Sequence, residues 1–589
     1  MAIINYHISV ADISAHLIEV ELRFTPQQTL HQLTMASWIP GSYMIRDFAR
    51  NIINISACDA DGELLLVQLD KQCWQLSCRE REVSVRYQLY ANDLSVRAAY
   101  LDDLQAVLNP AGICFAVSGQ EQLQHQLTIA RPEFRVTENW QLATGLTPSP
   151  DTAFMAFGTY QADNYQQLVD TPLLAGELSY QTFILDGIPH HLVFTGKNLT
   201  DYPRIARDVE ILCRHQSERF NGLPEDLTAY WFLVWVTDNG YGGLEHHNST
   251  LLLCSRFDLP EPSGNTVDDN YQNFLALCSH EYFHTWWVKR LKPSVFHHYQ
   301  LTQEQYTRQL WIYEGFTSYY DDLALVRTGL ISTEQYLRTL EKTITRVTRN
   351  KSNTIQSLQD SSFNAWTKFY KQDENAVNAV VSYYAKGALL ALCLDGALRQ
   401  QRYSLDWLIQ QMWQQYLNTG TDDDSIFLIL SNAGFNALAE AVRLWVTEPV
   451  MLPLSEMLPV LGIELTFRTA EHQEDLSGPA KTADSISSLG ALYKSSAQGI
   501  QLTHIHHDGA AHQAGLMAGD QLLAIAGYKI TESSLQPLLR RLPAGSVQPV
   551  YFFRKDRLLT ASLLLQPSAL QVAQLAISDI SKTADWLQT

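Results

Sequence analysis

The residues of this chain whose types and spacing best suit chemistry are His280-Glu281-Tyr282-Phe283-His284. Positions i and i+4 of a helix lie one turn apart on one face, so two imidazoles there reach a single ion, with Glu281 beside them as a proton acceptor. The flanking residues predict that helix independently: Asp268 and Asp269 suit its first turn, Phe274, Leu277, Cys278 and Phe283 form an apolar stripe, and Lys289, Arg290, Lys292 and Pro293 suit its end. With 18 histidines in 589 residues, chance produces such a pattern with a probability of roughly a few per cent. A third ligand is therefore required, since a catalytic zinc takes three protein ligands and leaves one position to water.

Glu314, in Trp311-Ile312-Tyr313-Glu314-Gly315-Phe316, is the candidate third ligand, separated from His284 by 29 residues. An unpaired carboxylate in that aromatic stretch is costly, and a metal removes the cost. The competing reading puts Glu314 on the wet side of an amphipathic helix; the ligand reading is preferred because it joins an independent HExxH helix. His297 and His298 compete for the same role, but they follow a helix-ending proline in KPSVFHHYQ and read as surface residues. Imidazole and carboxylate ligands point to one zinc per chain, although cobalt or manganese suits the same geometry. With such a metal, an acidified water gives its proton to Glu281 and attacks a carbonyl, and the resulting oxyanion needs a further donor.

The elements that must position these groups fall into blocks. Residues 1–172 consist of short β-branched and aromatic runs such as LIEVELRF and SVRYQLYA between turn residues, predicting an all-β sandwich or saddle domain. Residues 173–265 mix a helical pattern, RIARDVEILCRHQSERF, with the continuous apolar run TAYWFLVWV of a buried strand, an α/β lobe. Residues 266–457 carry long helical patterns: VDDNYQNFLALCSHEYFHTWWVKRLK, QEQYTRQLWIYEGFTSYYDDLALVRTG and AVVSYYAKGALLALCLDGALRQ. The small, polar SGPAKTADSISS reads as a linker within residues 458–589, after which short strands resume. The fold class expected is multidomain α+β, consistent with about three or four domains for this length.

Composition narrows the partners. Against 62 Asp and Glu stand 42 Lys and Arg, a formal charge of -20, which repels polyphosphate and anionic membrane and favours cationic groups such as a peptide amino terminus. The eight cysteines are scattered without a CxxC pair and read as reduced core residues. The amino-terminal residues alternate like a strand rather than forming a signal peptide, and no run of about 18 apolar residues predicts a membrane span. A cytoplasmic enzyme is the expectation.

Taken together, the HExxH, the WxxEG segment, Tyr241-Gly242-Gly243-Leu244-Glu245-His246 and Tyr384-Ala385-Lys386-Gly387-Ala388 resemble the gluzincin metallopeptidases related to aminopeptidase N. In particular they resemble the glycyl-aminopeptidase family that carries a C-terminal PDZ domain. Trp38-Ile39-Pro40-Gly41-Ser42-Tyr43, followed by Ile45-Arg46-Asp47-Phe48-Ala49-Arg50, resembles that family's N-terminal β domain, so the likeness spans nearly the whole chain. The resemblance implies a thermolysin-like catalytic domain over 173–457, with His280, His284 and Glu314 as zinc ligands and Glu281 as general base. It implies that Glu245, with Gly242 and Gly243, binds the substrate's free amino terminus; His246 departs from the Asn of many aminopeptidases. A carboxylate on a strand bordering the cleft suits a cation, whereas the bland reading is an exposed edge-strand charge. Tyr384 is implied as the oxyanion donor, with adjacent Tyr383 as the one-residue alternative and a core tyrosine as the bland one. Asp321, two turns beyond Glu314, is placed to orient a ligand histidine.

Residues 499–530, GIQLTHIHHDGAAHQAGLMAGDQLLAIAGYKI, resemble a PDZ domain of the bacterial protease type. That resemblance implies capture of peptide C-termini by strand addition, with Leu489 and Gly490 in the carboxylate loop Ser488-Leu489-Gly490-Ala491, which departs from Gly-Leu-Gly-Phe. His504, His506, His507 and His512 read as surface residues of this module rather than a second metal site. The expected function is a zinc aminopeptidase preferring small N-terminal residues, Gly or Ala. The alternatives are an endopeptidase with PDZ-assisted capture and a non-catalytic peptide-binding scaffold.

Overall fold

Alternating apolar and polar residues in Leu17–Phe24 and Val83–Tyr90 leave one face of each strand buried, and the two pair antiparallel in a sheet of eight strands. A computed structural model describes residues 3–79, 81–480 and 487–588. It divides into two compact units, residues 1–306 with 415–421 and residues 307–414 with 422–589, and each is described by itself.

In the first unit, the eight-stranded sheet has Ile3–Asp12 at its middle, parallel to Gln124–Ile129 and antiparallel to Leu17–Phe24. Two four-stranded sheets accompany it, and one of them contains Leu173–Gly176 paired with Gln105–Leu108 and Gln141–Thr144. The α/β part is a five-stranded mixed sheet. Its strands are β1 (Ser179–Leu185), β2 (Ile188–Phe194), β3 (Tyr230–Thr237), β4 (Gly242–Glu245) and β5 (Ser249–Ser255), in the order β1-β2-β3-β5-β4. The apolar run anticipated as a buried strand is β3, the central strand, parallel to both β2 and β5. Strand β4 lies at one edge, antiparallel to β5.

Helix α1 (Tyr202–Arg219) and helix α2 (Asp269–Phe283) pack together, and α2 also lies against β4 and β5. The Asp268 side chain caps α2 by accepting from the Tyr271 N–H at 2.8 Å. Sequence periodicity extends this helix to Lys292, but it ends at Phe283. Trp286 and Trp287 are both fully buried, and the chain reverses so that Leu291 N–H donates to the Trp286 carbonyl at 2.9 Å, with Val288 at φ 91°. Adjacent helical residues point about 100° apart, so one continued helix does not bury both indoles on one face.

In the second unit, helices α3 (Leu310–Tyr313) and α4 (Gly315–Arg327) replace the single long helix expected there, with the break at Glu314. Helix α5 (Thr333–Arg349) follows, opened by a Ser332/Gln335 capping box. Helix α6 (Ala385–Gln400) starts at Ala385, later than the apolar pattern suggests. Strand β6 (Ile463–Thr469) pairs antiparallel with a strand near the C-terminus that packs on α5. Between them runs an antiparallel sheet in the order β7 (Ala491–Ser496), β8 (Gly499–Ile505), β9 (Gln521–Ile525), β10 (Val547–Arg554) and β11 (Arg557–Leu564). Helix α7 (Glu532–Leu539) contributes Leu535 and Leu539 to the separate core of this module.

Candidate metal and peptide site

Helix α2 delivers the HExxH residues as its spacing requires. His280 and His284 have ring centroids 4.8 Å apart at an interplanar angle of 82°. His284 is buried, and its Nδ1 lies 2.8 Å from the Trp287 carbonyl. A carbonyl only accepts, so Nδ1 carries the proton and Nε2 keeps the lone pair that a metal needs. The Trp286-Trp287 reversal that stops the helix thus also fixes the tautomer of the second histidine.

Edge strand β4 runs alongside this helix. Residues 243 and 245 share a face, and that face meets α2: a Cβ added at Gly243 would fall 2.1 Å from Glu281 Oε1. Only a glycine admits the Glu281 carboxylate so near the strand. Carboxylate oxygens of Glu245 and Glu281 and a ring nitrogen of His284 all lie within 4.8 Å of one another, and the three residues are buried. Two carboxylates this close, out of water, repel unless a cation stands with them. Glu245 Oε1 is buried with no hydrogen-bond partner among the described residues, as expected of a group kept for a ligand.

The Trp38-Ile39-Pro40-Gly41-Ser42-Tyr43 turn backs Glu245. Gly41 has φ +90°, and a Cβ there would sit 2.4 Å from Glu245 Oε1; the turn is pinned by the Trp38 indole N–H donating to the Gln300 and Gln303 carbonyls at 3.0 and 2.9 Å. Sequence reading used this segment only as a family signal, and its contact with the carboxylate is legible only in three dimensions.

Sequence reading also missed Asp170. Its carboxylate meets Lys289 Nζ at 2.7 Å, His246 Nδ1 at 3.2 Å and the His247 N–H at 3.1 Å. Burial opposes its charge, but the Lys289 ammonium and His246 outweigh that and hold Asp170 well below the usual carboxylate range. Lys289, read from the sequence as a basic residue suited to the helix end, is a buried partner with 3% of its side chain exposed. Asp170 thereby fixes the residue after Glu245.

In the second unit, Glu314 is buried between α3 and α4. Gly315 and Gly387 let α4 and α6 touch: a Cβ on Gly315 would lie 2.6 Å from Gly387 Cα, and one on Gly387 would lie 2.8 Å from Gly315 Cα. That contact brings Tyr384, at the start of α6, into the field of Glu314. Burial first, then the Glu314 charge, push the Tyr384 phenol well above its ordinary range; its hydroxyl lies 3.3 Å from that of Tyr370. Tyr383 is fully buried, whereas Tyr384 is half-buried. Asp321 is a half-buried residue of α4 whose Oδ1 accepts from the Asp322 N–H at 2.6 Å.

His297, His298, His504, His506, His507 and His512 belong to none of the clusters of metal-capable side chains found among the described residues. In the C-terminal module, Leu489 is buried and Gly490 takes φ +67° against Gly509. They line a cavity of about 460 Å³ with Arg346, Arg349 and His506. At the outer edge of β7, the Gln473 side chain donates to the Tyr493 carbonyl and accepts from its N–H, both at 3.0 Å.

The comparisons with known proteins bear on this arrangement. The Peptidase M61 N-terminal domain matches residues 5–177, and the M61 glycyl aminopeptidase domain matches residues 273–390. The solved structure of an aminopeptidase N family protein from Idiomarina loihiensis is 40% identical, covers 100% of both chains and superposes with a TM-score of 0.96. An M1 zinc metallopeptidase from Deinococcus radiodurans is 12% identical over 77% of this chain and 95% of its own, with a TM-score of 0.47. No curated protein matches the chain by sequence. With both M61 domains in order along it and a relative alike over its full length, the chain belongs to the M61 glycyl aminopeptidase family.

Proposed function

We propose that the chain is a zinc aminopeptidase that removes small N-terminal residues, Gly or Ala, from peptides. The observation that carries this reading is the buried grouping of Glu245, Glu281 and His284, whose two carboxylates call for two cationic neighbours, a substrate ammonium and a metal. His280, His284 and Glu314 are the proposed ligands of one zinc. The lone pair left on His284 Nε2 and the burial of Glu314 support them as donors. When bound, zinc acidifies water and polarises a peptide carbonyl.

The chain's own residues do the rest. Glu281 accepts the proton of the attacking water and returns it to the departing amine. Tyr384, kept protonated by burial and by Glu314, donates its O–H to the oxygen on which charge develops. Glu245 holds the substrate ammonium, in the company of Gly242 and Gly243, and Asp321 has a supporting role toward a ligand histidine.

The C-terminal module is proposed as PDZ-like, with Leu489 and Gly490 at the head of its groove. The Gln473 amide occupies the β7 edge groups that an added peptide strand uses, so peptide C-termini bind there by displacing it. No helix among the described residues is long and apolar enough to cross a membrane. All eight cysteines are unpaired, which suits a reducing compartment such as the cytoplasm.

Hydrolysis of glycyl and alanyl arylamides, before and after chelation and zinc restoration, tests the proposal. Activity indifferent to chelation would refute the metal mechanism. Cleavage of N-acetylated peptides as fast as free ones would refute the role of Glu245 and favour an endopeptidase.

A further inference from the structure

The open edge of β4 carries a group that the mechanism above does not use. His246 N–H donates to the Ser249 carbonyl at 2.8 Å, and β4 pairs with β5 in the register Leu244 to Leu251 and Gly242 to Leu253. Hydrogen-bonded pairs alternate along an antiparallel ladder, so Gly243 and Glu245 turn their backbone groups away from β5. At that edge stands Arg97. Its Nη2 donates to the Gly243 carbonyl at 3.0 Å, and its Nη1 lies 3.6 Å from where a Gly242 Cβ would be. Nε is buried without a hydrogen-bond partner, and Arg97 makes no ion pair among the described residues although the chain carries 62 acidic side chains.

Along this edge the order is Glu245, then Gly243 opposite Glu281, then Gly242 with Arg97. If the ammonium sits at Glu245 and the scissile carbonyl at Glu281, the leaving residue extends toward Gly242. A strand advances by about 3.3 Å per residue, so Glu245 to Gly242 spans roughly 10 Å, the scale of a di- or tripeptide. A guanidinium lacking a carboxylate partner at the far end of that span matches the geometry of a terminal carboxylate.

We propose that Arg97 is a specificity residue that holds the free C-terminal carboxylate of short peptide substrates, making di- and tripeptides the preferred class. This rests on the aminopeptidase reading and adds the far end of the substrate to it. No bond is made or broken at Arg97.

The test compares Gly-Ala with its C-terminal amide, with a glycyl arylamide as the control that lacks a carboxylate, in wild type, Arg97→Ala and Arg97→Gln. The glutamine variant keeps a donor for the Gly243 carbonyl while removing the charge. The readout is the ratio of kcat/KM for acid over amide, which a merely structural role leaves alone even if both rates fall. Wild type is expected to favour the acid by about tenfold to a hundredfold, the range of a charge-assisted hydrogen bond, and both variants to bring the ratio near one, chiefly through KM. A wild-type ratio near one, or variants that keep the wild-type preference, overturns the proposal while arylamide cleavage leaves the aminopeptidase reading standing. A wild type inactive on every substrate overturns both.

Discussion

Placing a methyl group on Gly243 is the sharpest perturbation of the proposed catalytic geometry. The added Cβ falls 2.1 Å from Oε1, 2.5 Å from Cδ and 2.6 Å from Cγ of Glu281. Comfortable non-bonded separations begin near 3.5 Å, so the carboxylate must retreat by about 1.4 Å. Gly243 does not hold a left-handed backbone, so the effect is steric and local, and overpacking of this kind costs about 1–3 kcal/mol of stability. A misplacement of about 1 Å at a reacting group is enough for a hundredfold rate loss. Gly243→Ala is therefore expected to keep its fold and zinc while kcat for a glycyl arylamide drops by about 10²-fold. Because the damage passes through Glu281, the same change made on a Glu281→Gln background should add little, a non-additivity read by a double-mutant cycle. Wild-type kcat in Gly243→Ala, or full additivity with Glu281→Gln, would refute the contact as a catalytic constraint.

Glu281→Gln alone is expected to retain zinc by metal analysis and lose about 10²- to 10⁴-fold in kcat, the usual worth of a positioned base; an active variant removes the assignment. Tyr384→Phe should lower kcat by about 10²- to 10³-fold with little change in KM, whereas Tyr383→Phe should leave kcat near wild type, and the reverse pattern would shift the role by one residue. Lys289→Met strands the Asp170 carboxylate and should cost about 3–5 kcal/mol in urea unfolding. Asp170 has its folded-state pKa lowered, so its contribution is full above its unfolded value near 3.9 and is lost as pH falls through the lower folded value. The stability gap between wild type and Lys289→Met should accordingly close below about pH 4; a gap that widens on acidification would refute the pair.

What the sequence determined by itself was local. The spacing of His280 and His284 is a statement about one helical turn, and the apolar run at β3 is a statement about burial on both faces of a strand; neither needs distant residues. The cost of an unpaired carboxylate in an aromatic stretch nominated Glu314, and motif resemblance supplied the family and nominated Glu245 and Tyr384 by position. Helix ends were less legible, because Trp286 and Trp287 stop α2 by what they bury rather than by any capping residue, and the α3–α4 break at Glu314 lies inside an unbroken apolar pattern. Only tertiary structure decided which groups meet. Asp170 reaches Lys289, 119 positions away in the chain, Gly41 lies against Glu245, Gly315 against Gly387, and Arg97 against Gly243, each joining segments far apart in the chain. Close approach of backbones and the pairing of buried charges depend on distances through space, and sequence patterning encodes periodicity along the chain, not those distances.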